Sequence, residues 1–416
     1  MSSDDKKTDQ GLFMDDFLIS DRGIITIAEG VHTVGGQGNS MLVETANGLV
    51  MTDTGPGGKA TRQMIEQVRA FSDKPVLAIV YSHGHIGYNY GASQWLADAE
   101  QRGHPAPRVI AQERLVHRYH RYQETWGLQC HLNGIQFNAN MPKEPREGWF
   151  TFPSETFTER CVIDGGDRQV EVLAAPSETD DATALWLPDS RILYAGPSFI
   201  KSIPNIGTPL RTLRDPVRWA DTMERLLALQ PAVLIPEFGA PVSGAEEVRR
   251  AMQLTIDALR YLRRETVERM NQGMSEWQIL HDIEYPQDIF GDPLLRPTYG
   301  MPDYIVRDIW RSENGWWDRN PTHLHPAEPG AVARARRAAI SDPRAVLASA
   351  ETHRQKGEKQ LALHVLDLLA LDDGDDDYGR QARALKAELL AELAEASTSF
   401  VSAQIYRAEA KRIGQQ

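Results

Sequence analysis

The chain has 416 residues, enough for two or three domains of roughly 150 each, and its 41% hydrophobic and 25% charged residues are ordinary for a water-soluble globular protein. A formal net charge of −13 argues against nucleic acid as a partner. No apolar run approaches the ~20 residues of a membrane span, so no membrane association is expected.

Two cysteines, Cys130 and Cys161, are too few for a disulfide framework or a thiolate zinc site. The polar, acidic start MSSDDKKTDQ carries no secretory signal, and a reducing, cytoplasmic setting is expected. Residues 1–22 read as a loose arm. From Gly23 the text becomes strand-like, and MLVET and LVMTD, joined through Asn47-Gly48, predict a hairpin closed by Asp53-Thr54-Gly55. Asp53 itself reads as a helix or turn cap. Residues 59–72 have apolar positions at helical spacing.

The stretch VLAIVYSHGHIGYNYG (76–91) follows, an apolar β-branched run and then His83 and His85 two residues apart. Alternate residues just past a strand end project to one side. Two imidazoles held that way can bind one metal ion, or they are plain loop histidines. Gly84 and Gly87 let the backbone tighten there. A helix over 93–102 and a strand over 108–113 continue a β-β-α-β-α-β order. Residues 114–150 read as an irregular, aromatic insertion over a site mouth, a substrate lid whose His117, His120 and His131 are surface groups or further ligands.

Strands are expected again at 169–174, 182–188, 191–196 and 232–239, with Glu178, Asp180 and Asp181 in a turn and a helix over 216–229. A long amphipathic helix over 246–272 opens a helical region. Shorter helices follow at 275–282 and 303–314, and helical pairs with a tetratricopeptide-like pattern fill 330–412. The run DDGDDD (372–377) reads as a solvated loop.

Together these features resemble the metallo-β-lactamase superfamily, and within it the alkylsulfatases with a helical dimerisation domain. His83-x-His85 is half of the family's His-x-His-x-Asp-His loop. PSETDDATALWLPDSRILYAG, PNIGTPLRTLRDPVRW and YIVRDIWRSENGWWDRNPTHLHP resemble further family segments, and the likeness covers about 23–410. It implies an α/β fold, an αββα metallo-β-lactamase sandwich over 23–245, followed by an all-α helical dimerisation domain over 246–416. It also implies a subunit or domain contact around Trp310, Trp316 and Trp317, unless these are plain core. The family's further lipid-carrier-like domain is not expected, which argues against long aliphatic substrates.

The resemblance assigns the first metal's ligands to His83, His85 and Glu178, with Asp53 as an orienter. The second metal's positions hold Gly87, Tyr88, Pro197 (or Gly196) and Phe238 (or Gly239), so that site is erased. Two imidazoles and one glutamate with an open position suit catalytic zinc, one ion per chain, with iron as the other possibility. Asp180 or Asp181 is then a fourth ligand or general base, and Glu237 a second candidate. Tyr88 can donate to a developing anion, while Asn205 and Arg211 can hold an oxyanion group of a small-molecule substrate. Each of these also has a capping, packing or surface alternative.

The expected function is a mononuclear metallohydrolase acting on a small ester, sulfate ester or activated ether. The alternative is a catalytically inactive homologue serving as a structural or regulatory subunit. Either version oligomerises through the helices, with itself or with a paralogue. A tetratricopeptide-like scaffold for peptide partners rests on the C-terminal helices alone.

Overall fold

In the computed structural model, residues 23–372, 374 and 376–415 are described. The expected arm 1–22 lies outside them, as do Asp373 and Asp375 of the acidic run.

Two mixed sheets stack face to face. The first runs in chain order: β1 (Ile24–Ala28), β2 (Val31–Gly36), β3 (Gly38–Glu44), β4 (Leu49–Thr52), β5 (Val76–Val80), β6 (Arg108–Gln112) and β7 (Glu155–Phe157). It is antiparallel from β1 to β4 and parallel from β4 to β7. The second has the order β13 (Val242–Ser243), β12 (Val233–Pro236), β11 (Ile192–Gly196), β10 (Thr183–Leu187), β9 (Gln169–Ala174) and β8 (Arg160–Asp164).

The strands read as continuous apolar runs because both faces of each sheet are covered. Alternate residues serve different cores. Ala78 and Val80 of β5 meet Leu185, Leu187, Ile192 and Tyr194 between the sheets, while Ile79 and Tyr81 pack outward. Helices α1 (Gly58–Phe71), α2 (Ala92–Gln101) and α3 (Arg114–Glu124) cover that outer face, through Met64, Val68, Trp95 and Leu115. On the far side, Trp186 and Leu193 pack against Trp219 and Met223 of α5 (Pro216–Leu227). Thus the αββα order expected from the sequence is present.

Three expectations change. The insertion over 114–150 is not irregular, because α3 and α4 (Trp126–Phe137) fill most of it. Leu115, Tyr119 and Tyr122 recur at helical spacing and are buried, and that period was hidden among His and Arg.

Nor does the core divide at residue 245. Val248, Met252, Ile256 and Leu259 of α6 (Ala245–Asn271) and Ile305, Ile309 and Trp310 of α8 (Pro302–Asn314) share one cluster with the second sheet. A separate core begins only with the later helices, α10 (Pro343–Gln355), α11 (Lys359–Ala370) and α12 (Asp377–Ala396), where Ala350, Leu366 and Leu389 meet. Helix α7 (Glu276–Asp282) adds Ile279 to the shared core, α9 (Pro329–Ala338) leads from it to the later helices, and α13 (Phe400–Ile413) is the last helix.

Finally, the three tryptophans do not cluster. Trp310 is buried in the shared core, Trp316 is 69% exposed, and the Trp317 indole N–H closes its own turn on the Asn320 carbonyl at 3.0 Å. No helix among the described residues is long and apolar enough to cross a membrane.

Candidate metal centre and cavity

The site forms where strands deliver their carboxyl ends to one rim of the sandwich. Asp53 follows β4, His83 follows β5, Glu178 lies in the turn after β9, and Glu237 follows β12. Ligands of open α/β sheets sit at such carboxyl ends.

His83 is fully buried, His85 and Glu178 half-buried, and one donor atom from each lies within 4.8 Å of the others. His83 Nε2 is 2.9 Å from His85 Nδ1, and the other His83 nitrogen meets Ser82 Oγ at 2.9 Å. Burial pushes the His83 imidazole down to about 3 and drives His85 well below its ordinary value, so both rings are neutral donors. Glu178 Oε1 accepts from Arg214 Nη1 at 2.8 Å and Asn205 Nδ2 at 3.0 Å.

Neutral imidazoles and a carboxylate fit a divalent cation. Glu237 strengthens that fit. It is 1% exposed, its polar neighbour is the Tyr88 phenol, no cationic side chain pairs with it among the described residues, and Oε1 is 3.7 Å from the neutral His83 Nε2. A carboxylate buried in this way needs a proton or a positive partner.

Asp53 reaches the loop indirectly. Its Oδ1 accepts from the Ser82 N–H at 2.8 Å and the Asn89 amide at 3.0 Å, and Asn89 also donates to the His83 carbonyl at 3.3 Å. With φ of 53° it occupies left-handed backbone, which Asp and Asn tolerate better than most residues. Burial raises its carboxyl to about 6 against the lowering effect of these hydrogen bonds.

Asp180 and Asp181 both pair with Arg118 and lie outside the donor cluster. Asp181 is fully buried, binds Arg118 Nε at 2.5 Å and accepts from the Gly84 N–H at 2.6 Å. Asp180 takes the other arm of Arg118, and Arg114 stands 3.6 Å away. Burial alone would raise Asp180, but the Arg118 charge and hydrogen bond hold it below the usual carboxylate value. The pair therefore ties the turn after β9 to the histidine loop. Arginine is not a metal-ligand residue type, so nothing in the local sequence marks Arg118 as part of the site.

Asn205 is likewise spent on Glu178, and its amide Oδ1 accepts from the Thr208 hydroxyl. Arg214, three residues after Arg211, was missed as the partner of Glu178; the Arg-Asp before α5 was its only trace. Helix α8 props this loop, because Asp308 Oδ2 accepts from the Gly207 N–H at 2.9 Å and the Arg214 N–H at 3.1 Å. His117, His120 and His131 are exposed and outside the cluster, His120 lying against Phe152.

A cavity of about 960 Å³ opens above the donors. Helices α3 and α4 roof it, as a lid would. Leu128, Leu132, Phe137, Met141 and Trp149 supply apolar wall, and Arg211 faces the same space. Arg211 bonds only the Leu210 carbonyl (3.1 Å) and Asn133 Oδ1 (3.4 Å), with no carboxylate at ion-pair distance among the described residues. Tyr88 also lines the cavity. Its ring lies 4.3 Å from that of His83 and packs with Ile200 and Phe238. Burial, then the charges of Glu237 and Glu178, keep its phenol protonated well past the ordinary range.

Comparison with known proteins follows the same division of the chain. Residues 33–237 match the Metallo-beta-lactamase superfamily, and residues 275–416 match Alkyl sulfatase dimerisation. A linear primary-alkylsulfatase of a Pseudomonas sp. is 31% identical over 365 residues, covering 82% of this chain and 68% of the relative. The alkyl/aryl-sulfatase BDS1 of Saccharomyces cerevisiae is 24% identical over 401 residues, covering 90% of this chain and 62% of its own length. Among solved structures, the stereoselective inverting sec-alkylsulfatase Pisa1 from Pseudomonas sp. superposes with a TM-score of 0.80 at 20% identity, over 94% of this chain and 65% of that one. The chain thus spans about two thirds of the length of these relatives.

Proposed function

The chain belongs to the alkylsulfatase family of the metallo-β-lactamase superfamily, and from that premise we propose a hydrolase of small sulfate esters working at a mononuclear metal site. Zinc is the ion that His83, His85 and Glu178 suit best, with iron as the other candidate. The observation that carries this reading is the convergence of those three donors within 4.8 Å beneath a cavity with apolar walls and an arginine that has no carboxylate partner among the described residues.

A single ion is supported by what surrounds the donors. Gly87 has φ of +99°, left-handed backbone that strains a side chain, and the Gln37 amide occupies the space a Cβ would enter. Tyr88, Ile200 and Phe238 form an apolar cluster beside it.

A bound divalent ion supplies Lewis acidity and a water that loses its proton near neutral pH. The chain's own groups do the rest. Arg211 draws the anionic head by charge-assisted hydrogen bonds, and the apolar wall takes the alcohol portion. Tyr88, held protonated, donates to oxygen that gains charge. Asn205 and Arg214 hold Glu178 in place. The inactive-subunit reading is not favoured, because the first donor set is complete and the matched relatives are named as sulfatases.

We also infer assembly through the helical region, as the matched dimerisation family suggests. The two cysteines are unpaired, which supports a reducing, cytoplasmic setting.

The test is elemental analysis alongside hydrolysis of short alkyl sulfates, carboxylic esters and activated ethers. One ion per chain, turnover of the sulfate esters, and loss of both in His83→Ala are expected. Two ions per chain or none would overturn the mononuclear reading, and turnover confined to another ester class would overturn the substrate.

A further inference from the structure

We propose that Glu237 is a fourth protein ligand of the cation held by His83, His85 and Glu178, giving two imidazoles and two carboxylates. This deepens the metal site proposed above and rests on it. The sequence left Glu237 open as a fourth ligand or general base, beside the positions of the family's late histidine at Phe238 or Gly239.

The first argument is charge. Every other buried acid around the donors is already compensated. Glu178 has Arg214 at 2.8 Å, Asp181 has Arg118, and Asp53 accepts two hydrogen bonds. Glu237 alone among these has two oxygens that are buried and make no hydrogen bond of ordinary geometry. The Tyr88 phenol is its hydrogen-bonding neighbour but brings no positive charge. With a divalent ion bound, two glutamates and Arg214 leave one positive excess, which suits an anionic substrate.

The second argument is aim. Glu237 is built into a fixed turn. Its carbonyl accepts from the Asn39 N–H at 2.7 Å, and the Asn39 amide clamps the carbonyls of Pro236 (2.9 Å) and Gly239 (2.8 Å). The Glu237 N–H donates to the Phe199 carbonyl at 3.3 Å. From that frame the carboxylate reaches His83 Nε2 at 3.7 Å and lines the cavity. A carboxylate held rigidly, desolvated and left without a cationic partner is what a metal site prepares before its ion arrives.

The experiment compares chelator-stripped parent, Glu237→Gln and Glu237→Asp. Zn²⁺ is titrated against a chromophoric chelator, Co²⁺ is added to read its visible bands, and melting is followed with and without metal. The parent is expected to bind one Zn²⁺ per chain. Glu237→Gln should bind at least about tenfold more weakly, a loss that even an outer partner of a ligand can produce, and should show altered Co²⁺ bands. Glu237→Asp should fall between the two. The metal-free Gln variant should melt no lower than metal-free parent, because an unpaired buried carboxylate has gone. Equal Zn²⁺ affinity and identical Co²⁺ spectra in parent and Gln variant would overturn the proposal while leaving the metal site intact. A parent that binds no Zn²⁺ or Co²⁺ would overturn the underlying reading as well.

Discussion

Residue by residue, the donors are held by groups that themselves bear a cost. Asp53 is the clearest case. Its folded value near 6 lies above the ordinary 3.8, so between those values the folded protein holds a proton that the unfolded chain has released. Its contribution is therefore fully present below about pH 3.8 and is lost as pH rises through about 6. Asp53→Asn keeps the left-handed backbone and stays neutral. In metal-free protein, the variant should gain up to about 3 kcal/mol on the parent between pH 4 and pH 8, read from urea midpoints. A difference that does not change with pH would show that Asp53 does not titrate there. Arg214→Met is expected to act in the opposite direction. It strands Glu178 without its ion pair and should cost about 3 kcal/mol at pH 7 in the same assay. Stability within a few tenths of the parent would show that Glu178 is solvated after all.

Among the elements, the histidine loop and the turn after β9 act as one unit. Gly84 is where they touch. A Cβ there would stand 2.9 Å from Arg118 Cδ and 3.0 Å from Asp181 Oδ2. Gly84→Ala should therefore cost about 1–3 kcal/mol and loosen Zn²⁺ binding together. Lost stability with unchanged affinity would separate the two roles. The lid is similarly tied to a distant part of the chain. Phe137 of α4 stacks on Phe400 of α13 with ring centroids 6.0 Å apart, and Gln136 donates to the Tyr299 hydroxyl at 2.8 Å. His83, His85 and Glu178 were legible because metal ligation restricts residue type and spacing. Arg118 and Arg214 were not, since arginines that neutralise acids look like any surface arginine until the fold brings them inside.

For the whole molecule, the helical region leaves apolar surface uncovered. Leu361 and Leu368, seven residues apart on α11, are 49% and 38% exposed, and Leu371 follows at 50%. If this face joins subunits, Leu361→Glu combined with Leu368→Glu should shift sedimentation from dimer towards monomer without lowering the helix content. A dimer that survives both changes would place the contact elsewhere in residues 275–416.

What the amino-acid order determined by itself was periodicity and local chemistry: alternating strands with two apolar faces, an Asn-Gly turn, a His-x-His after a buried strand, and amphipathic helices beyond. Those patterns depend on neighbours a few positions away, so they can be read in one dimension. Only the tertiary structure decided which acids meet which arginines, that α6 and α8 complete the second sheet's core, and that Glu237 stands buried beside His83 without a cationic partner. Such outcomes depend on which groups lose water together, and residues far apart in the chain decide that jointly, Arg214 and Glu178 36 positions apart and Arg118 and Asp181 63.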